Sequence, residues 1–388
     1  MRLRFGVLAL GCLVAWDACG QTATQEPRPA AAEATSPAGR EAAIAQLRKK
    51  GVSLHTRRKT TGGGVVEEVE AVTLMGGQST AAEVDANLRL VAQIPEVETV
   101  RMYGGAFSAD GLAALAALPR LHTLSISSPG GGQAVFAKLS DFKTLKSVHL
   151  SEYPFTDEVL VHVGKVRGLK KVQLTSVTAA RTNFSTAGLT AFLNSVEDLE
   201  ELVLPGAPID DACMARIGSM KNMQKFWTDS PQITSKAWSN LAGMTNMRDL
   251  YVRNTSFDDA AMAAVADMVE LRSLMLDGTK VTDKGMKSLA GLVNLTDLGL
   301  YGTAITDESM VHLAGMKELH NLYVGETKVT AKGLENLPRK EAMSMMRVGA
   351  KALTITEYRT LREMFPRSEI FDPVGFWNPD RVSKAERQ

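Results

Sequence analysis

Cysteine is scarce in this chain, with three among 388 residues. Cys12 and Cys19 fall within the first twenty residues, and Cys213 stands alone on a predicted helix. A disulfide framework is therefore excluded, and so is a Cys-x-x-Cys site for a metal or for redox chemistry. We interpret Cys213 as a small buried apolar residue rather than as a reactive thiol.

An excess of one charge and catalytic motifs are also lacking. Lys and Arg number 44 against 43 Asp and Glu, so the net charge of +1 offers no basis for nucleic-acid binding. The six histidines include no HExxH or HxxxH pair, and no GxSxG, GxGxxG or P-loop motif occurs. The sequence therefore predicts a protein that is not an enzyme and that holds neither a metal nor a cofactor.

What the chain does contain is a 24-residue repeat, clearest between positions 271 and 318. The two copies read LRSLMLDGTKVTDKGMKSLAGLVN and LTDLGLYGTAITDESMVHLAGMKE. Apolar residues recur at unit positions 1, 4, 6, 11, 16, 19 and 22. The first three are spaced as on a strand, and the last three share one face of a helix. Since neither element can bury its apolar side alone, we predict an α/β solenoid with a parallel sheet on its concave face and short helices on its convex face.

The repeat keeps its register along most of the chain. Every step between units has this same length, except the 30-residue step from Leu169 to Leu199. Units begin at Val97, Leu121, Leu145, Leu169, Leu199, Met223, Met247, Leu271, Leu295, Leu319 and Met343. Position 12 holds residues whose side-chain oxygen can cap the start of a helix. Where an acid follows at position 13, we interpret it as a first-turn residue whose negative charge is stabilised by the helix dipole. These capping residues are Ser108, Thr156, Ser185, Asp210, Thr234, Asp258, Thr282, Thr306, Thr330 and Thr354, whereas the unit from Leu121 offers only Gly132.

Outside the repeats the chain divides into short segments. Residues 1–20 have the basic start, apolar run and small residues of a signal peptide, with cleavage expected before Gln21. Cys19 raises the alternative of lipid modification, although Asp17 departs from the usual lipoprotein signal. The other segments are a disordered Ala/Pro-rich tether at 21–39, an N-terminal cap and first irregular repeat at 40–96, the 24-residue repeats at 97–366, and a closing strand and tail at 367–388.

The pattern LxxLxL…T.ITD.G…L over residues 65–371 resembles the leucine-rich-repeat superfamily. It is similar in particular to bacterial, planctomycete-like exported proteins whose units carry T-x-[IV]-T-D-x-G. The resemblance implies the solenoid fold and leaves function almost open. One departure is that the family's Asn or Cys after the strand is threonine here, at Thr255, Thr279, Thr303 and Thr327. We expect these hydroxyls to bridge backbone groups of neighbouring coils.

Aromatic residues are few, yet several fall on the outward side of successive strands. Side chains at unit positions 3, 5 and 7 point away from the core. Large aromatics ringed by charges are what a protein-recognition hot spot needs. The alternative is that aromatics favour strands anyway, and that Thr228 beside Trp227 lets the indole turn inward. The candidate binding residues are Trp227, Tyr251, Tyr301 and Tyr323, with Asp229, Arg253 and Asp277 and, around them, Asp249 and Asp297.

The sequence therefore predicts a non-enzymatic, exported scaffold of the periplasm or cell envelope that binds another protein or an envelope polymer through its concave sheet. One alternative is a passive structural protein of the envelope with no specific ligand. A second is an intracellular scaffold resembling the repeat half of ubiquitin-ligase adaptors. The pattern leaves open the oligomeric state and the role of the insertion at 177–186.

Overall fold

The computed structural model describes residues 36–61, 64–77, 79–130, 132–175, 183–338, 340–348, 354–372 and 375–376. Several predicted features lie outside these residues. They are the signal peptide at 1–20 with Cys19, the tether as far as residue 35, positions 177–182 of the insertion, and the tail after residue 376. Among the described residues, no helix is both long and apolar enough to cross a membrane.

Fifteen strands form one sheet in which spatial order follows chain order. Strands β2 to β14 pair in parallel, and β1 and β15 close the two ends as antiparallel partners. Their bounds are β1 Ser53–Thr61, β2 Gly64–Met75, β3 Thr99–Tyr103, β4 Thr123–Ser127, β5 Ser147–Ser151, β6 Lys171–Thr175, β7 Glu201–Val203, β8 Lys225–Trp227, β9 Asp249–Tyr251, β10 Ser273–Met275, β11 Asp297–Gly299, β12 Asn321–Tyr323, β13 Met345–Arg347, β14 Glu369–Asp372 and β15 Gly375–Phe376.

A short helix follows most of the parallel strands. The α-helices are α1 Pro37–Lys49, α2 Ala81–Val91, α3 Ala109–Ala114, α4 Asp157–Gly164, α5 Thr186–Ser195, α6 Asp211–Gly218, α7 Asp259–Val265, α8 Asp283–Met286, α9 Ala331–Leu334 and α10 Ile355–Met364. The 3₁₀ helices are Leu115–Ala117, Gln133–Asp141, Ser235–Leu241, Lys287–Leu289, Asp307–Leu313 and Lys340–Ala342. This alternation confirms the predicted leucine-rich-repeat solenoid.

The 24-residue period sets the register of the sheet. Leu250 pairs with Leu274, which in turn pairs with Leu298, so each residue lies beside its equivalent in the next coil. Apolar positions consequently form continuous columns through one core. Both the strand and the helix contribute to it, and every predicted apolar position between Leu271 and Leu313 is 0% exposed. Burying a leucine this completely stabilises the fold by about 2 kcal/mol.

The N-terminal cap differs in its boundaries from the prediction. Helix α1 begins at Pro37, inside the predicted tether, because Ser36 accepts a hydrogen bond from the Gly39 amide and Pro37 suits the first helical position. Strand β1 continues through the basic stretch at residues 57–59 and pairs there with β2. Opposite charges across the hairpin, such as Arg58 facing Glu67, support this extension.

All ten predicted capping residues occupy N-cap positions, and seven of them accept a helix amide. The side chains of Thr156, Thr234 and Thr330 make no such bond.

The acid after the cap has a second role. In coil after coil, this carboxylate accepts hydrogen bonds from the capping residue of the next coil. Asp283 accepts one from the Thr306 amide at 2.8 Å and one from its hydroxyl at 2.9 Å. Asp259 does the same for Thr282. We call these contacts the carboxylate ladder, and its other pairs of this kind are Asp157–Ser185, Asp211–Thr234 and Asp307–Thr330. Asp85, in the middle of α2, accepts the same two bonds from Ser108.

The ladder also explains the recurring glycine of the T-D-x-G sequence. A Cβ on Gly285 would lie 2.5 Å from a carboxylate oxygen of Asp259, and one on Gly333 would clash with Asp307 in the same way. Glycine therefore leaves the space that the carboxylate of the preceding coil occupies. In the coil between them Ser309 takes the same position, and its hydroxyl donates directly to Asp283.

The expected role of the threonines after the strands is wrong. Each hydroxyl donates to a carbonyl three residues earlier in its own coil, as Thr279 does to Leu276 at 2.6 Å. Bridging between coils is carried by backbone amides instead, such as that of Leu276, which donates to Gly299. The hydroxyl thus satisfies a buried carbonyl at the turn, because the turn brings it back toward its own strand.

The Asp283→Ala variant tests the ladder. It should lower the free energy of unfolding by about 2 kcal/mol, because Thr306 and the fully buried Ser309 hydroxyl lose a charged acceptor. Asp110→Ala is a matched control, since Asp110 is also an acid in the first turn of a helix but accepts no hydrogen bond from the next coil within the part of the chain that the structure describes. Urea denaturation at neutral pH measures both. Equal losses in the two variants would contradict a role for the ladder.

Candidate functional site

The candidate binding residues lie on the side of the sheet opposite the helices, on the C-terminal half of the array. We call this surface the open face. Helices about 10 Å wide cannot stack at the strand spacing of about 4.8 Å, so the array curves with this face inside. Each candidate side chain is half-buried by neighbours in the adjacent coils. These residues are Trp227, Asp229, Tyr251, Arg253, Asp277, Tyr301 and Tyr323.

Trp227 and Tyr251 form the aromatic part of the open face. Their ring centroids are 5.7 Å apart with the planes tilted by 41°, and the Lys225 ammonium lies 5.7 Å from the Tyr251 centroid. The indole stays on the outward side, because Thr228 is the side chain that points into the core. Its hydroxyl accepts a hydrogen bond from the Ser230 amide, which satisfies a polar group at an apolar position.

Arg253 and Asp277 form an ion pair beside the aromatics. The guanidinium Nε lies 2.8 Å from Oδ2 of the carboxylate, and Oδ1 accepts the Tyr301 amide at 2.9 Å. Burial raises the pKa of Asp277 above its ordinary value, although these two partners pull it down. The carboxylate is thus held in place with part of its hydration removed, which pre-organises a charged group for a partner.

A second cation–π group lies toward the C-terminal end. The Arg347 guanidinium lies 5.9 Å from the Tyr301 centroid and 6.0 Å from that of Phe371. Gly325 permits this arrangement, because a Cβ there would come within 3.0 Å of both Arg347 and the Tyr301 ring. Gly299 similarly leaves room for the side chains of the preceding coil, which lean over it. Tyr301 is among the candidate residues predicted from the sequence, whereas Arg347 and Phe371 are not.

Two further acids, Asp249 and Asp297, interact with each other on this region of the open face. Burial is the main cause that raises the pKa of Asp249, and the nearby carboxylates Glu201 and Asp297 add to it while Lys225 opposes it. Burial also raises the pKa of the Tyr323 phenol, with Asp297 contributing. Tyr323 therefore remains a neutral hydroxyl, which donates toward the sulfur of Met345 at 3.3 Å.

Asp229 differs from the other candidates in what it contacts. Its carboxylate accepts the backbone amide of Gly206 at 2.5 Å, so it tethers two coils at the rim of the open face. Sequence reasoning could not find this contact, nor the paired aromatics that result from one strand lying beside the next. The one sequence feature that pointed to the paired aromatics was their recurrence at unit position 5, in Trp227, Tyr251 and Tyr323.

The open face carries the components of a recognition surface. Within the described residues, no group of three His, Cys, Asp or Glu side chains could hold a metal ion. Cys213 is buried away from this face, and burial raises the pKa of its thiol, which disfavours the thiolate. What the face offers is aromatic area, fixed charges and hydroxyl groups, the components of a protein-binding hot spot.

The pH dependence of stability tests the Arg253–Asp277 pair. A carboxyl group whose folded pKa is raised binds its proton more tightly in the folded state, so the contribution of Asp277 to stability falls as pH rises from about 4 through the raised pKa. The difference between variant and wild-type profiles isolates this contribution from those of the other carboxyl groups. Arg253→Gln removes a partner that lowers this pKa, and the decline should extend to higher pH. Denaturation curves between pH 4 and pH 7 give the profile. Arg248→Gln, which removes an exposed arginine outside the pair, should keep the wild-type profile, and an unchanged profile in Arg253→Gln would refute the assignment.

Comparison with known proteins extends only to the fold. No protein-family model matches the chain, and no curated protein matches it. An internalin from Listeria monocytogenes shares 14% identity over 79% of this chain and 93% of its own, with a TM-score of 0.44. Rad7 in its complex with Elc1 from yeast shares 16% identity over 72% and 69%, with a TM-score of 0.49. A leucine-rich-repeat protein from Leptospira interrogans shares 14% over 78% and 89%, with a TM-score of 0.38. At these identities the likeness concerns the fold alone, and the protein's own repeating coils establish a leucine-rich-repeat solenoid.

Proposed function

We propose that this protein is a non-enzymatic scaffold that binds another protein through the open face. The observation that carries the proposal is the side-by-side packing of Trp227 and Tyr251, flanked by the fixed Arg253–Asp277 pair. Aromatic rings held rigid by neighbours lose little conformational entropy on binding, and fixed charges orient the partner. The face is broad, since the candidate residues span the coils from Met223 to Leu319.

A protein partner fits this surface better than an envelope polymer. The acids of the face are part-buried and interleaved with aromatics, which suits a partner that offers apolar and cationic side chains together. An anionic polymer would face repulsion from Asp249, Asp277 and Asp297. A passive spacer with no ligand is the alternative, and it gives no reason for aromatics to gather on one half of the face.

The double variant Trp227→Ala and Tyr251→Ala tests the proposal. Partner capture by cross-linking in the native envelope should fall at least about tenfold, because two central anchors are removed. The solenoid should remain folded, since both side chains are only half-buried and lie outside the core. Circular dichroism and thermal denaturation check the fold of the same preparation.

Tyr103→Ala is the matched control for this experiment. Tyr103 is 42% exposed at the N-terminal end of the same side of the sheet, away from the paired rings. Its loss should leave capture unchanged. If the double variant captures the same partner as efficiently as wild type, the scaffold proposal fails and the passive spacer is favoured.

We further propose that the protein is exported to the periplasm or cell envelope, as in the bacterial repeat proteins that its sequence resembles. The support is the basic start, the apolar run and the small residues at Ala18 and Gly20. A lipid anchor on Cys19 is the competing form of the same proposal. An intracellular adaptor is the second alternative.

The mature N-terminus distinguishes these forms. Mass spectrometry of protein from the native envelope should give a chain beginning at Gln21, because the small residues before it suit a signal peptidase. A lipid-modified Cys19, lost in the Cys19→Ser variant, would show an anchored form instead. Recovery of the chain in the cytoplasm with Met1 retained would reject export and favour the intracellular adaptor.

A further inference from the structure

Basic and acidic residues are separated along one edge of the solenoid, at the segments that connect each helix to the next strand. Two successive edge loops, residues 143–146 and 165–171, carry six Lys and Arg and no acid. The following loop, residues 197–201, carries four acids and no base. A chain whose net charge is only +1 therefore concentrates cations on two coils. We call these two loops the basic edge.

Most of the basic edge is electrostatically uncompensated. Lys170 and Lys171 form ion pairs with Glu200 and Glu201 across the boundary. The remaining four side chains are exposed, and among the described residues none of them forms an ion pair with an acid. They are Lys143, Lys146, Lys165 and Arg167.

The repeat arranges these cations in rows. Lys143 and Arg167 occupy equivalent positions in successive coils, and so do Lys146 and Lys170. Each pair is therefore displaced by about one strand spacing of 4.8 Å. Gly168 adopts φ +70°, a conformation that favours glycine, and the Lys146 ammonium lies over it.

A cleft lies beside these rows. It has a volume of about 420 Å³ and runs between the loop that contains Lys165, Arg167 and Lys170 and the loop that contains Glu197 and Asp198. The loop with Lys165 and Arg167 forms a basic wall that can hold anionic groups. The loop with Glu197 and Asp198 forms an acidic wall that repels them and so limits how far they extend along the solenoid. The longer coil, with its 30-residue step, forms the second wall.

The chemistry of the basic edge favours a linear polyanion over the other classes of partner. Lysine is depleted in the cores of protein interfaces, and this edge exposes no aromatic anchor. Single-stranded nucleic acids need stacking platforms, which are also missing here. Dispersed, mobile cations in rows suit a chain of repeated phosphate or sulfate groups, whose binding is driven by counterion release.

We propose that the basic edge is a docking site for a linear polyphosphate chain. Its phosphate groups contact the four cations without an ion pair, which are Lys143, Lys146, Lys165 and Arg167, while Lys170 stays paired with Glu200. This site is separate from the open face, and the two bind independently.

Calorimetric titration of the full chain with long-chain polyphosphate tests the site, with dextran sulfate as a second arm that separates phosphate from sulfate preference. Wild-type protein should bind, and its affinity should fall steeply between about 50 and about 200 mM salt. Replacing Lys143, Lys146, Lys165 and Arg167 together with Gln should weaken binding at least about tenfold and flatten the salt dependence.

The matched control replaces Lys284, Lys287, Lys328 and Lys332 with Gln, which removes the same charge from exposed lysines in later coils. It should bind as wild type does. Equal weakening in both variants would mean that overall charge, rather than the basic edge, attracts the polymer, and would overturn the proposal. Absence of wild-type binding at about 50 mM salt, or tighter binding of dextran sulfate or polyglutamate than of polyphosphate, would also overturn it.

Discussion

Every coil of this solenoid buries its apolar side chains only against the coils on either side of it. That constraint requires each coil to present the same columns of apolar residues, as the alignment of Leu250, Leu274 and Leu298 shows. Apolar packing alone tolerates small slips between coils, because it has little directional preference. The carboxylate ladder supplies the direction. Each ladder acid accepts both the amide and the hydroxyl of the next cap, a geometry that only one offset between coils satisfies.

The same fixed offset creates the candidate binding surface. Residues at one unit position lie side by side in successive strands, so aromatics that are one repeat apart in sequence become packed rings in space. Gly299 and Gly325 leave space above the sheet that side chains of adjacent coils occupy. Met275 and Asp277 lie over Gly299, and Tyr301 and Arg347 lie over Gly325. The order of the open face is thus a consequence of the core beneath it. A change in the core register would separate Trp227 from Tyr251 without altering either residue.

Sequence periodicity was sufficient for the fold and insufficient for the contacts between coils. The columns of leucine, the strand and helix of the repeating unit and most of the caps, such as Thr306, follow from spacing, and the structure bears them out. The role of Asp283 could not be predicted from spacing. Its position after a cap suggested an interaction with the dipole of its own helix, whereas its hydrogen-bond partner, Thr306, lies one coil away. The prediction for Thr279 was wrong for the opposite reason. Its hydroxyl was expected to bond to a neighbouring coil, whereas it donates to the Leu276 carbonyl of its own coil. For the site, position predicted which residues face outward, but the pairing of Arg347 with Tyr301 and Phe371 depends on side-chain directions that spacing does not specify.

A near-zero net charge conceals two surfaces of opposite character. The open face gathers part-buried acids around aromatics in the later coils, and the basic edge gathers exposed cations in two earlier ones. At physiological ionic strength, charges farther apart than about 8 Å are largely screened from each other. A solenoid separates its coils along one axis, so two oppositely charged surfaces can lie more than this distance apart. In a compact fold they would lie closer together and would neutralise each other. The protein proposed for the open face and the polyanion proposed for the basic edge therefore occupy different coils, so neither ligand competes with the other for its site.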